Sequence, residues 1–201
     1  MNRDSARKAL AVYFEQPAAR LLQTLGVTPN MVTLGGLLVA GASAYFISQG
    51  FLLIGGLVLA ASGLFDMLDG TLARATNKAS RFGALFDSVS DRVAEAGTLL
   101  GVLVFYSTTT NTVGMALAFA AFAGSFMVSY LRARAEGLGI ECKAGLMTRP
   151  ERVVILVLSL VIAQWWTPML IIALGIISGL TIFTSLQRLL LVRQELARLD
   201  G

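Results

Sequence analysis

An all-α integral membrane protein is the fold class this sequence predicts, with six transmembrane helices preceded by an N-terminal interfacial amphipathic helix. Three observations predict it. Apolar residues make up 56% of the 201 positions and charged ones only 14%, and runs such as 31–48, 51–65 and 153–163 leave little room for a soluble fold. Every Lys and Arg falls in the N-terminus, in 74–92, in 132–152 or near the C-terminal end, all on one side if six spans alternate. The turns on the other side, Gln49-Gly50, 107–111 and 164–168, carry no charge, so the positive-inside rule makes the basic side cytoplasmic and places the chain in the cell membrane as a multi-pass protein.

The elements follow in order. Over residues 3–25, Leu10, Tyr13, Phe14, Pro17, Leu21 and Leu25 keep a nearly helical spacing, and Arg3, Arg7, Lys8 and Arg20 add positive charge. This predicts a helix lying in the cytoplasmic interface and bent near Pro17. Residues 1–24 are too polar for a cleavable signal peptide. Residues 1–28 therefore read as a juxtamembrane segment and 29–201 as one six-helix domain, with Thr28-Pro29-Asn30 breaking the chain between them. Spans are expected at 31–49, 52–74, 84–106, 112–135, 151–165 and 168–192. Trp165 and Trp166 then lie at the far interface. Gly97/Gly101 and Gly175/Gly179 form GxxxG patterns that allow close helix approach, within one bundle or across a homodimer.

Composition excludes several chemistries. There is no histidine, which removes Ser-His and Cys-His catalysis and His-ligated zinc; a general base must be a carboxylate, a lysine or a tyrosine. The single cysteine, Cys142, excludes an intrachain disulfide and a multi-cysteine metal centre. Nothing in the sequence points to a nucleic-acid partner.

Four aspartates stand out against this background. The order is Asp66-x-x-Asp69-Gly70-x-x-Ala73-Arg74, eight residues, then Gly83-x-x-x-Asp87-x-x-x-Asp91. The i, i+3 and i, i+4 spacings put each pair on one helix face. Both pairs border apolar spans, where an unpaired carboxylate costs roughly 2.5–3.5 kcal/mol at a span centre. The first pair ends the second span, the second begins the third, and a short polar connection over 75–83 makes those ends neighbours. Four carboxylates then converge near the membrane surface. Hard oxygen ligands suit Mg²⁺ or Mn²⁺, and such a set matches two ions acting on a diphosphate. Gly70 lets a ligand approach the backbone, Gly83 admits close packing, and Arg74 is placed to pair with a phosphate or an aspartate. Helix capping or ion pairs with Arg74, Arg81 and Arg92 would explain one or two of the acids, not four at these spacings.

This pattern resembles the signature of the CDP-alcohol phosphatidyltransferases, with every fixed position present over about an eighth of the chain. Members of that family move a phosphatidyl-type group from a CDP-linked lipid to an alcohol and release CMP. The resemblance implies that Asp66, Asp69, Asp87 and Asp91 bind two divalent ions, Mg²⁺ or Mn²⁺, and that Asp91 also takes the proton from the attacking hydroxyl. It implies that Gly70, Ala73, Arg74 and Ser80 line the nucleotide site. Pro29, Asn30, Val32 and Thr33 resemble a stretch that contacts the CDP-diacylglycerol donor.

The acceptor side is basic: Ser129-Tyr-Leu-Arg132-Ala-Arg134-Ala-Glu136, then Lys143, then Arg149-Pro-Glu-Arg152, then Arg188. A basic ring suits an anionic acceptor, and positive-inside topology with attraction to anionic membrane lipids accounts for it equally. The two stretches resemble the prokaryotic phosphatidylinositol phosphate synthases, which join CDP-diacylglycerol to inositol phosphate. By that resemblance Ser129, Arg132, Arg152 and Arg188 hold the acceptor phosphate, with Arg193 a rival for Arg188. Arg132 departs from the lysine common there and keeps charge without geometry. The same chemistry with glycerol 3-phosphate or another anionic polar alcohol, or with an ether-lipid donor, remains open. So does a divalent cation transporter, because intramembrane acids also line ion paths. The clustering of the acids at one face, with no charge opposite, weighs against transport.

Overall fold

The chain is described by a computed structural model over residues 15–76, 80–142 and 144–199. Helix is its only regular structure among these residues: α1 Gln16–Thr24, α2 Pro29–Ser48, α3 Leu52–Ala75, α4 Arg81–Thr108, α5 Thr112–Gly137, α6 Arg149–Ala163 and α7 Pro168–Leu199. The six long elements coincide with the six predicted stretches to within a few residues at most ends, because the breakers are strong. Thr28 caps α2, its hydroxyl accepting from the Met31 amide, and Pro29 stands in the first turn, where a missing N–H leaves no bond unmade. Ser80 and Asn111 cap α4 and α5 by accepting from Gly83 and Gly114. Gly50 makes the α2–α3 turn at φ +83°, a left-handed conformation that glycine adopts without a Cβ penalty.

Four helices, α2, α3, α5 and α7, are long and apolar enough to cross a membrane, and the chain is a membrane protein. The other two long elements fall outside that description for physical reasons. The first half of α4 carries Arg81, Asp87, Asp91, Arg92 and Glu95, and α6 has 15 residues, about 22 Å at 1.5 Å per residue.

Helix α2 packs on α3 and α4, α3 on α6, α4 on α5, and α7 on α5 and α6. The main core, built around Ile47, Leu59, Val102, Leu160, Leu170 and Leu174, lies between these helices at the end away from the aspartates. Of the two GxxxG patterns, one residue makes the predicted close approach. A Cβ on Gly101 would stand 2.4 Å from the Ala44 carbonyl, so α4 and α2 touch backbone to backbone there, whereas Gly97, Gly175 and Gly179 have open space. Of the predicted interfacial segment, residues 1–14 lie outside the described part. Its remainder is α1, which packs on α3 through Ala19, buried with Val32 and Leu72, and leaves Leu21 and Leu25 exposed. Pro17 sits in the first turn of α1.

Candidate active site

Helix α3 brings Asp66 and Asp69 to its last turns, and α4 brings Asp87 and Asp91 to its first. The connection between them spans 76–80, so these two helix ends are adjacent, as the short polar linker predicts. Carboxylate oxygens of Asp66, Asp69 and Asp87 all lie within 4.8 Å of one another. Asp91 lines the same small pocket as Asp66, Asp69 and Arg149. Asp69 is buried and Asp66 part-exposed. Grouped carboxylates repel, and their oxygens are hard donors, so the set fits divalent cations such as Mg²⁺ or Mn²⁺.

The neighbouring side chains hold this geometry. The Thr33 hydroxyl donates to Asp69 Oδ2 at 2.7 Å, tying α2 to α3 at the site. Arg149, from the first turn of α6, reaches across: Nη1 donates to Asp66 Oδ2 at 2.8 Å and Nη2 approaches Asp91 Oδ1 at 2.9 Å. Its Nε is buried without a hydrogen-bond partner. One turn beyond Asp91, Glu95 takes Arg152 in a bidentate pair at 2.6 and 2.8 Å, which is nearly closed to solvent; Arg152 also donates to the Met147 carbonyl.

The expected nucleotide residues surround the same end. Arg74 is exposed and donates to the Thr71 hydroxyl, which in turn donates to Glu15 at 2.6 Å. A Cβ on Gly70 would meet only the Arg74 guanidinium, at 3.4 Å. Gly83 packs closely, its Cβ position 3.0 Å from the Ser80 hydroxyl and 3.4 Å from the Asn30 amide oxygen, so α4 begins close against the start of α2. Val32 is buried against Leu72 and Ala19; Pro29 and Ala73 are half-buried.

The acceptor residues divide. Arg188 is buried and donates to the carbonyls of Ala144 and Val128, beside half-buried Ser129. Arg132 is exposed and pairs with Glu136 at 2.8 Å. Lys143 lies outside the described residues. Between α3, α4 and α6 opens a cavity of about 390 Å³. Asp66, Arg149, Glu95 and Arg152 line its polar end, and Leu59, Leu64, Val154 and Leu158 line its apolar length.

Sequence reasoning did not single out Arg149 as a site residue, nor Glu95. Signals for both existed. Glu95 follows Asp91 at i+4, so it shares the face of a known acid, and Arg149 precedes Arg152 at i+3 on a helix start.

The family model of CDP-alcohol phosphatidyltransferase matches residues 26–187. An archaetidylinositol phosphate synthase of Methanothermobacter thermautotrophicus is 36% identical over 176 residues, 86% of each chain. The crystal structure of a Mycobacterium tuberculosis phosphatidylinositol phosphate synthase with CDP-DAG bound superposes with a TM-score of 0.85 at 30% identity, covering 90% of this chain and 94% of that one. The same enzyme in complex with manganese and citrate gives a TM-score of 0.84 at 30% identity, over 89% and 88%.

Proposed function

This chain belongs to the CDP-alcohol phosphatidyltransferase family, and from that premise we propose that it moves a phosphatidyl group from CDP-diacylglycerol to inositol phosphate, releasing CMP and making phosphatidylinositol phosphate. The observation that carries this is the convergence of Asp66, Asp69, Asp87 and Asp91 at one end of the bundle beside Arg149 and the Glu95–Arg152 pair. The same reaction class is named for the mycobacterial relative that binds CDP-DAG.

The four aspartates would hold two divalent ions, Mg²⁺ or Mn²⁺, whose contribution is to neutralise the diphosphate of the donor. The chain's own residues do the rest. Ser80, Asn30, Gly70, Ala73 and Arg74, with Pro29, Val32 and Thr33 behind them, form the nucleotide end. Arg152 and Arg188, with Ser129 and Arg132, bind the phosphate of the acceptor and fix its orientation. A hydroxyl of the acceptor attacks the lipid-side phosphorus, the bond from that phosphorus to the CMP oxygen breaks, and Asp91 takes the hydroxyl proton. The apolar length of the cavity gives an acyl chain a place beside α3 and α6.

The finer architecture belongs to the same reading. Helices α4 and α6 complete six spans, with α4 keeping its charged half at the cytoplasmic surface and α6 ending at Trp165 and Trp166. Residues 1–28 form an interfacial juxtamembrane element in front of the 29–201 domain. The site then faces the cytoplasm across the cell membrane. The open face of α7 at Gly175 and Gly179 suits a homodimer.

The test is CMP release by detergent-purified protein with CDP-diacylglycerol and Mg²⁺, offered inositol phosphate, glycerol 3-phosphate or free inositol. Release with inositol phosphate alone is the expected result; release only with another alcohol discards the acceptor assignment. A second reading, an ether-lipid donor, is favoured by the similarity to the archaetidylinositol phosphate synthase. Faster release from CDP-archaeol than from CDP-diacylglycerol would establish it.

A further inference from the structure

We propose that Arg149 is an internal counter-cation, which holds Asp91 to Asp66 until it is displaced on binding of a second divalent ion and then turns to an anionic group of the substrates. Three observations on the guanidinium lead there. First, it takes one oxygen from each of two carboxylates, Asp66 Oδ2 at 2.8 Å and Asp91 Oδ1 at 2.9 Å. Those oxygens cannot be fully shared between a guanidinium and a metal ion, so Arg149 and a cation bridging Asp66 and Asp91 compete. Second, the triad of Asp66, Asp69 and Asp87 gathers within 4.8 Å without Asp91, so one cation site keeps two carboxylates, Asp69 and Asp87, outside the Arg149 pairs, whereas the site bridging Asp66 and Asp91 has both of its carboxylates in them. The two ions are therefore bound in order, and the second is weaker by the strength of the Arg149 pairs.

Third, the buried Nε of Arg149 has no acceptor. A buried donor left unpaired is costly, and a guanidinium offering Nε together with an Nη is the fork that grips a phosphate side-on. Arg149 lines the polar end of the 390 Å³ cavity with Arg152. A phosphate arriving there would satisfy Nε. Arg149 is thus a positioning residue that couples cation loading to the binding of an anionic substrate group. The cation half of the proposal rests only on the carboxylate set; the substrate half rests on the transferase reading.

The experiment titrates Mn²⁺ into EDTA-stripped, full-length protein in detergent and follows free Mn²⁺ by electron paramagnetic resonance, for wild type, Arg149→Met and Arg149→Lys. Two classes of site are expected in the wild type. In Arg149→Met the weaker class tightens by about tenfold, the order expected for removing two part-exposed ion pairs, and the tighter class, which shares only Asp66 with those pairs, tightens by less. Arg149→Lys keeps the charge but loses the fork, and tightens the weaker class by less. Equal tightening of both classes in Arg149→Met with no change in Arg149→Lys would mean bulk charge alone and overturn the proposal, as would no change in either variant. At saturating Mn²⁺, Arg149→Met should raise the KM for inositol phosphate or CDP-diacylglycerol by about tenfold; unchanged KM for both overturns the substrate half. If the wild type releases no CMP with any acceptor, the transferase reading fails, while the Mn²⁺ titration still decides the cation half.

Discussion

At the scale of single residues, the site is a set of acids and arginines that satisfy one another. Asp91→Asn keeps shape and removes proton-accepting capacity, so it should leave the protein folded and cut CMP release by about 10²–10⁴-fold, the usual weight of general-base assistance. Retained turnover would take Asp91 out of the chemistry. Glu95 is the sharper test of the arginine side. Its pair with Arg152 is nearly closed to solvent, and breaking a buried pair costs about 3–5 kcal/mol because the remaining charge is stranded. Glu95→Ala should therefore lower the thermal unfolding midpoint, while Glu95→Gln, which keeps an acceptor oxygen, should fold and show a raised KM for inositol phosphate with a smaller change in kcat. An equal loss in both variants, with KM unmoved, would reduce the pair to scaffolding. The four aspartates were legible in the sequence because carboxylates beside apolar spans need a reason to be there. Arg149 and Glu95 were not, because positive-inside topology and helix-surface pairing already explain single charges at span ends. Only the fold shows that Arg149 crosses from α6 to acids 58 to 83 positions earlier.

At the scale of elements, helix ends set the site and small residues set helix spacing. The break at Thr28-Pro29-Asn30 was read in the sequence, whereas the caps at Ser80 and Asn111 were not singled out, although Ser and Asn at a helix start have a local physical cause. Which glycines bring helices together was not legible, since a GxxxG pattern is silent about the face it presents. The structure decides between the two glycines of the first pattern. Gly101→Leu drives a side chain into the Ala44 carbonyl, 2.4 Å from the Cβ position, and should destabilise by about 1–3 kcal/mol as overpacking does. Gly97→Leu enters open space and should change stability by less than about 0.5 kcal/mol. Unfolding of both variants in detergent checks the contrast; equal losses would mean that the α2–α4 approach does not depend on Gly101.

At the scale of the whole molecule, orientation follows from where the charges fall. Replacing buried Cys142 with alanine leaves a chain free of cysteine, onto which single cysteines can be placed. Thr110→Cys, in the α4–α5 turn, should react with a membrane-impermeant maleimide in intact cells, and Glu136→Cys only after permeabilisation. The reverse pattern would invert the orientation, and labelling of both from outside would end the six-span layout. The distribution of Lys and Arg is what argues for this topology in the sequence, whereas the short α6 and the charged part of α4 leave two of the expected crossings without support from hydropathy. The cavity between α3 and α6 has a consequence of a different kind. Its polar end meets a solute dissolved in three dimensions, and its apolar length meets a lipid confined to two. The velocity should then track the donor's share of the lipid surface and not its amount in the tube. Adding inert detergent at fixed CDP-diacylglycerol should slow turnover, and raising inositol phosphate should not restore it.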